Sequence, residues 1–180
     1  MAVRQGAALR GLSIGALLVA GILSALIAAS VPARAEDDPD FISLGVGGYD
    51  LIGVHSHPAG MLDAEYRFGY KLWIFKPFLG ILGTTGKSYY GYGGFLVDIY
   101  LSPRWVLTPN AAVGYFHQGS GTNLGSHTQF RTGGEIAYRF DDRSRLGLNF
   151  HHISNAGIGQ HNPGEEDAMI VFSLPFDLLK

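Results

Sequence analysis

From about residue 36 onward, apolar and polar positions alternate with a period of two. Leu62, Ala64, Tyr66, Phe68 and Tyr70 hold one parity, and Asp63, Glu65, Arg67 and Lys71 the other. Between Phe130 and Phe140 the even positions are mostly apolar, while the odd ones include Arg131, Glu135 and Arg139. A period of two puts successive side chains on opposite faces of a β-strand, so each segment has one apolar and one polar face. Further alternating segments begin near Phe41, Phe78, Ser88, Trp105, Ser144 and Asp167. The pattern predicts eight strands of roughly 10 residues, the length that crosses a bilayer at a tilt.

Residues 1–35 break this pattern. Arg4 and Arg10 precede an apolar run from Leu12 to Ala29, and Ala33 and Ala35 stand just before Glu36-Asp37-Asp38. A basic start, an apolar stretch and an A-x-A site describe an export signal. The expected division is therefore a removed segment, 1–35, and a barrel domain, 36–180. Gly11-Leu12-Ser13-Ile14-Gly15 matches the G-x-S-x-G esterase elbow, but it lies inside the apolar run with no strand before it and is set aside.

Connections between the predicted strands differ in character. Ser102-Pro103-Arg104 and Asp141–Ser144 read as short turns, whereas 118–127 and 155–165 read as longer Gly- and Asn-rich loops. Short turns at one end, long loops at the other and an even strand number make the outer-membrane pattern. Tyr66, Tyr70, Trp73, Tyr89, Tyr90, Tyr100, Trp105, Tyr115 and Tyr138 fall near strand ends, where they are expected to form interfacial girdles. A soluble β-sandwich would alternate in the same way, with its apolar face inside. The export signal, strand count and loop asymmetry favour an all-β, eight-stranded antiparallel transmembrane β-barrel in the outer membrane of a Gram-negative bacterium. Side chains fill the interior of so small a barrel. Asp63, Glu65, Arg67, Arg131, Glu135 and Arg139 are thus expected to pair in the lumen, and no pore is expected.

Composition narrows the chemistry. Three of the 13 basic residues lie in the first 35 and none of the 15 acids does, so residues 36–180 carry about −5. A nucleic-acid binder needs the opposite balance. The absence of cysteine excludes disulfides, thiolate zinc sites and a thiol nucleophile. Gly83-Thr84-Thr85-Gly86-Lys87-Ser88 lacks the first P-loop glycine, because Ile81 stands there, and is read as a loop between strands three and four. His55-Ser56-His57 has metal-ligand spacing but no third ligand, so neither a metal nor a cofactor is expected.

The remaining signal is Phe150-His151-His152-Ile153-Ser154-Asn155-Ala156-Gly157, followed by Asn162-Pro163-Gly164-Glu165-Glu166. On strand seven, Leu146, Leu148, Phe150, His152 and Ser154 share one parity; on strand eight, Glu166, Ala168, Ile170, Phe172 and Leu174 do. Both rows are expected to face lipid, and His152, Ser154 and Glu166 then cap them. Parity selects Glu166 over Glu165 and turns His151 into the lumen. Two readings stand for these polar caps. They can be headgroup contacts, as in a non-enzymatic barrel. They can also be a nucleophile, Ser154, a base, His152, and an orienting acid, Glu166, with Asn155 and backbone N–H groups at Ala156 and Gly157 as oxyanion donors.

His152-x-Ser154-Asn155-Ala156-Gly157 with Asn162, Gly164 and Glu166 resembles the signature of the PagL family, the outer-membrane lipid A 3-O-deacylases. The resemblance is densest from Phe130 to Glu166. It implies an eight-stranded barrel with a Ser154–His152–Glu166 triad on its outer wall near the outer leaflet. The implied reaction is metal-free hydrolysis of the 3-O-linked 3-hydroxyacyl chain of lipid A within lipopolysaccharide. An outer-membrane acyltransferase drawing lipid tails into the lumen is the enzymatic alternative. Oligomeric state, including a homodimer, is left open by the sequence.

Overall fold

The computed structural model describes residues 39–53 and 56–179. The expected export segment 1–35 and His55 of the histidine pair lie outside the described residues. Eight strands form an up-and-down barrel: β1 Phe41–Tyr49, β2 Ala59–Arg67, β3 Lys76–Thr84, β4 Tyr89–Leu96, β5 Trp105–His117, β6 Thr128–Arg139, β7 Arg145–Ser154 and β8 Glu165–Pro175. Each pairs antiparallel with the next, and β8 closes on β1 from Gly48↔Ala168 to Phe41↔Pro175. Closure leaves no unpaired sheet edge, which is what allows a β-structure to sit in hydrocarbon.

The two faces carry the parities expected, and their polarity is inverted relative to a soluble sandwich. Leu62, Leu148 and Ile81 are 67%, 61% and 60% exposed on the outer face, while Glu65, Arg67, Arg131 and Glu135 are buried within. An apolar exterior around a charged interior suits lipid outside.

The lumen is filled by a connected set of ion pairs. Arg67 Nε lies 2.8 Å from Glu65 Oε2, Arg67 Nη2 2.8 Å from Glu135 Oε2, and Arg131 Nη1 2.8 Å from Glu65 Oε1. Tyr92 donates to Asp63 at 2.5 Å, and Arg131 lies 4.6 Å from the centre of the Tyr92 ring. Arg139 lies outside this network: it sits half-buried at the end of β6.

Connections 50–58, 85–88, 118–127 and 155–164 lie at one end, here the upper end, and 68–75, 97–104 and 140–144 at the lower end. The length asymmetry is weaker than expected, because two lower connections are small hairpins. In one, Leu72 and Phe75 pair around Trp73, whose φ is +64°. In the other, Ile99 and Tyr100 pair with Leu107 and Val106 above a turn at Ser102–Arg104. Pro109, on the facing strand, accepts from Val97 N–H but has no N–H to return, so the strand is interrupted at Val97-Asp98 while the register holds from Leu96↔Asn110 to Ile99↔Leu107. Asp98 keeps the inward parity of Leu96 and meets Arg145 at 2.9 Å, Lys76 at 3.0 Å and the Thr108 hydroxyl at 2.8 Å. Two girdle assignments are corrected. Tyr90 is fully buried and donates to Gln129 O in the lumen, and Tyr100 contacts Arg145 rather than the lipid side.

Candidate active site

The antiparallel register of β7 and β8 sets His152 directly opposite Glu166 on the outer wall. His152 Nδ1 lies 3.1 Å from Glu166 Oε1, so the carboxylate accepts the Nδ1 hydrogen and leaves Nε2 as the lone-pair nitrogen. The side chains are 44% and 28% exposed, a surface pair rather than a lumenal one. On the other side of His152 the register places Thr132 of β6.

His151 faces inward as parity required. It is buried, with Nδ1 3.0 Å from both Arg131 Nη2 and Asp167 Oδ1, and Nε2 3.3 Å from Asn110 Nδ2. Adjacent histidines thus belong to separate environments, the lumen and the outer wall. Glu165 likewise turns inward and accepts from Asp50 N–H at 3.0 Å.

Ser154 ends β7 two residues beyond His152 on the same face, roughly 7 Å along the strand. Among the described residues its hydroxyl forms no hydrogen bond, and the structure leaves it unbonded to the His152 ring. The next residues form a tight turn: Ala156 and Gly157 have φ of +51° and +81°, and Ile158 N–H bonds to Asn155 O at 3.1 Å. Two successive left-handed residues make a tight turn that opens the 155–164 loop.

Asn155 holds this turn with every polar group it has. Its N–H bonds to Asn162 Oδ1 at 2.9 Å, its Nδ2 to Leu124 O and His161 O at 2.7 Å each, and its Oδ1 accepts from Gly157 N–H at 2.8 Å. The amide expected at an oxyanion is therefore committed to the loop in this structure, as is the Gly157 N–H. The Ala156 N–H has no partner among the described residues.

Gly164 is a contact the sequence pattern did not single out for a role. Its φ is +68°, and a Cβ there would stand 2.6 Å from His152 Cε1. The loop thus returns across the imidazole and confines the ring from above.

One outward step below the pair lies an open apolar trough of about 760 Å³. Gly134 and Ala168 make its low points, and Val46, Ile136, Leu148, Phe150 and Ile170 its sides. Phe150 and Ala168 face each other across β7 and β8, directly beneath His152 and Glu166.

Fold and site together define a class: a membrane-spanning barrel with a hydrogen-bonded His–Glu pair on its lipid-facing wall. The family model described as lipid A 3-O-deacylase (PagL) matches residues 54–175. The chain belongs to the PagL family. Among solved structures it is similar to the crystal structure of the outer membrane enzyme PagL, at 19% identity and a TM-score of 0.58, covering 76% of this chain and 99% of that one. It is also similar to a de novo designed transmembrane β-barrel, at 12% identity and a TM-score of 0.50, covering 77% and 98%. No curated protein matches the chain.

Proposed function

We propose that this protein is an outer-membrane esterase that removes the 3-O-linked 3-hydroxyacyl chain of lipid A. The observation that carries the reading is the His152–Glu166 pair at the head of an apolar trough, in a chain of the lipid A 3-O-deacylase family. Residues 1–35 are read as the signal removed on export.

Ser154 is the nucleophile in this reading. His152 Nε2 takes its proton as Oγ attacks the ester carbonyl, and Glu166 holds the tautomer and stabilises the imidazolium. The Ala156 N–H, the unbonded donor of the turn, supports the oxyanion, while Asn155 and Gly157 keep that turn in place. Collapse expels the sugar 3-oxygen, which takes the proton from His152, and water then releases the 3-hydroxy fatty acid from Ser154. The trough receives the acyl chain. A filled lumen argues against the alternative in which lipid tails enter the barrel.

Mass spectrometry of lipid A from a Gram-negative host tests this. Cells making the unaltered chain should lose one 3-hydroxyacyl group, and cells making Ser154→Ala, with the barrel folded in the outer membrane, should not. Deacylation that persists in the Ser154→Ala variant overturns the assignment.

A further inference from the structure

At the upper rim, connections 118–127 and 155–164 enclose a second cavity of about 360 Å³. Its polar lining is Gln118, Asn123, Ser126, His127, Gln160 and His161, with no carboxylate, lysine or arginine. The two loops are clasped by Asn155 Nδ2, which bonds to Leu124 O and His161 O, and Asn155 directly follows Ser154 in the chain. Each lining imidazole spends one nitrogen on a carbonyl: His127 Nδ1 on Phe116 O at 3.0 Å, and His161 Nε2 on Asn123 O at 3.1 Å. A carbonyl only accepts, so those nitrogens carry the hydrogen. His127 Nε2 and His161 Nδ1 then remain without a partner among the described residues. The His127 ring is fixed by stacking on Tyr115, 5.1 Å between centroids and 4° between planes. Among the described upper connections Lys87 is the single lysine or arginine, so amides, hydroxyls and imidazoles are what this rim offers an anion.

We infer that this cavity holds the phosphorylated sugar headgroup of the glycolipid whose ester meets Ser154; the inference rests on the deacylase reading. A carboxylate-free set of donors suits a phosphate monoester. The spare imidazole nitrogens accept from a sugar hydroxyl when neutral and donate to phosphate when protonated. The volume lies at the small end of ligand cavities and suits one sugar phosphate. Position agrees with this order: with the tail in the trough below His152 and the ester at Ser154, the sugar ring stands at the level of these loops.

The test uses the full chain folded in detergent micelles. Histidine Cε1–H resonances, assigned with His127→Gln and His161→Gln, are followed by NMR while glucosamine 1-phosphate, glucosamine or inorganic phosphate is added. The His161 substitution spares the clasp, because Asn155 bonds to the backbone oxygen of that residue. The His127 and His161 signals should move saturably with glucosamine 1-phosphate, in the Ser154→Ala variant as well, and at least ten-fold more weakly with the other two probes. With lipid A as substrate, the double His→Gln variant should raise KM by about ten-fold, and by several-fold less with dephosphorylated lipid A, which keeps only the sugar hydroxyls. Motionless signals, equal binding of inorganic phosphate, or equal KM changes on both lipids overturn the headgroup site. Sugar-phosphate binding by a wild-type protein that never deacylates lipid A removes the deacylase reading instead.

Discussion

Gly164 shows how a residue with no reactive group can govern one that has it. Its left-handed φ and its approach to His152 both select against a side chain: a Cβ would press within 2.6 Å of the ring. Gly164→Ala should cost about 1 kcal/mol of stability from the backbone alone. The larger effect should be on kcat, because a displaced imidazole loses its line to the nucleophile, and shifts of about 1 Å cost up to about 10²-fold. Lipid A deacylation kinetics, with folding checked by circular dichroism, measure the split; an unchanged kcat would mean that the ring needs no such confinement. The shared outer face of His152 and Glu166 was legible in the sequence because alternation assigns each side chain a face. His152 and His151 separate by one step of parity, as do Glu166 and Glu165. The committed bonds of Asn155 and the Gly164 contact were not legible, since both depend on how the 155–164 loop folds back on β7.

At the scale of the elements, the registers of β6, β7 and β8 build the trough from small residues opposite large ones. Gly134 lies across from Phe150, which lies across from Ala168. A Cβ at Gly134 meets nothing nearer than 3.4 Å, whereas one at neighbouring Gly133 would stand 2.1 Å from Phe150 O. Gly134→Leu is therefore a clean way to fill the trough without disturbing the ladder. It should lower kcat/KM for long-chain 3-hydroxyacyl esters by about ten-fold while sparing acetate esters, since filling an apolar site changes recognition by about 1–3 kcal/mol. Equal loss on long and short esters would show that the trough does not receive the chain. Strand positions were legible from the period of two, whereas the lower hairpins were not. Alternation carries no trace of the break in the ladder opposite Pro109, and Tyr90 has the same residue type as a girdle tyrosine while pointing inward.

For the whole molecule, the inverted distribution of polarity makes the lumenal ion pairs the structural core. Arg131 joins Glu65, the Tyr92 ring and His151, so Arg131→Met takes from buried Glu65 one of its two cations, leaving Arg67 alone. Removing one partner of a buried charge pair costs about 3–5 kcal/mol, which urea unfolding of the refolded barrel should register. The lower end adds a pH dependence. Burial alone would raise the Asp98 carboxyl, but the Arg145 and Lys76 charges and the Arg145 and Thr108 hydrogen bonds outweigh it and hold it well below the usual carboxylate range. The folded value thus lies beneath that of the unfolded chain, about 3.9 for an aspartate. The contribution of Asp98 is complete above that value and is lost as pH falls below it, because protons then bind the unfolded chain first. The urea midpoint of the wild-type barrel should accordingly drop from about pH 4 downward. Asp98→Asn should start lower, with Arg145 and Lys76 left facing a neutral amide, and should lose less over the same interval. Parallel pH profiles for the two proteins would show that Asp98 does not carry the acid sensitivity of the lower end.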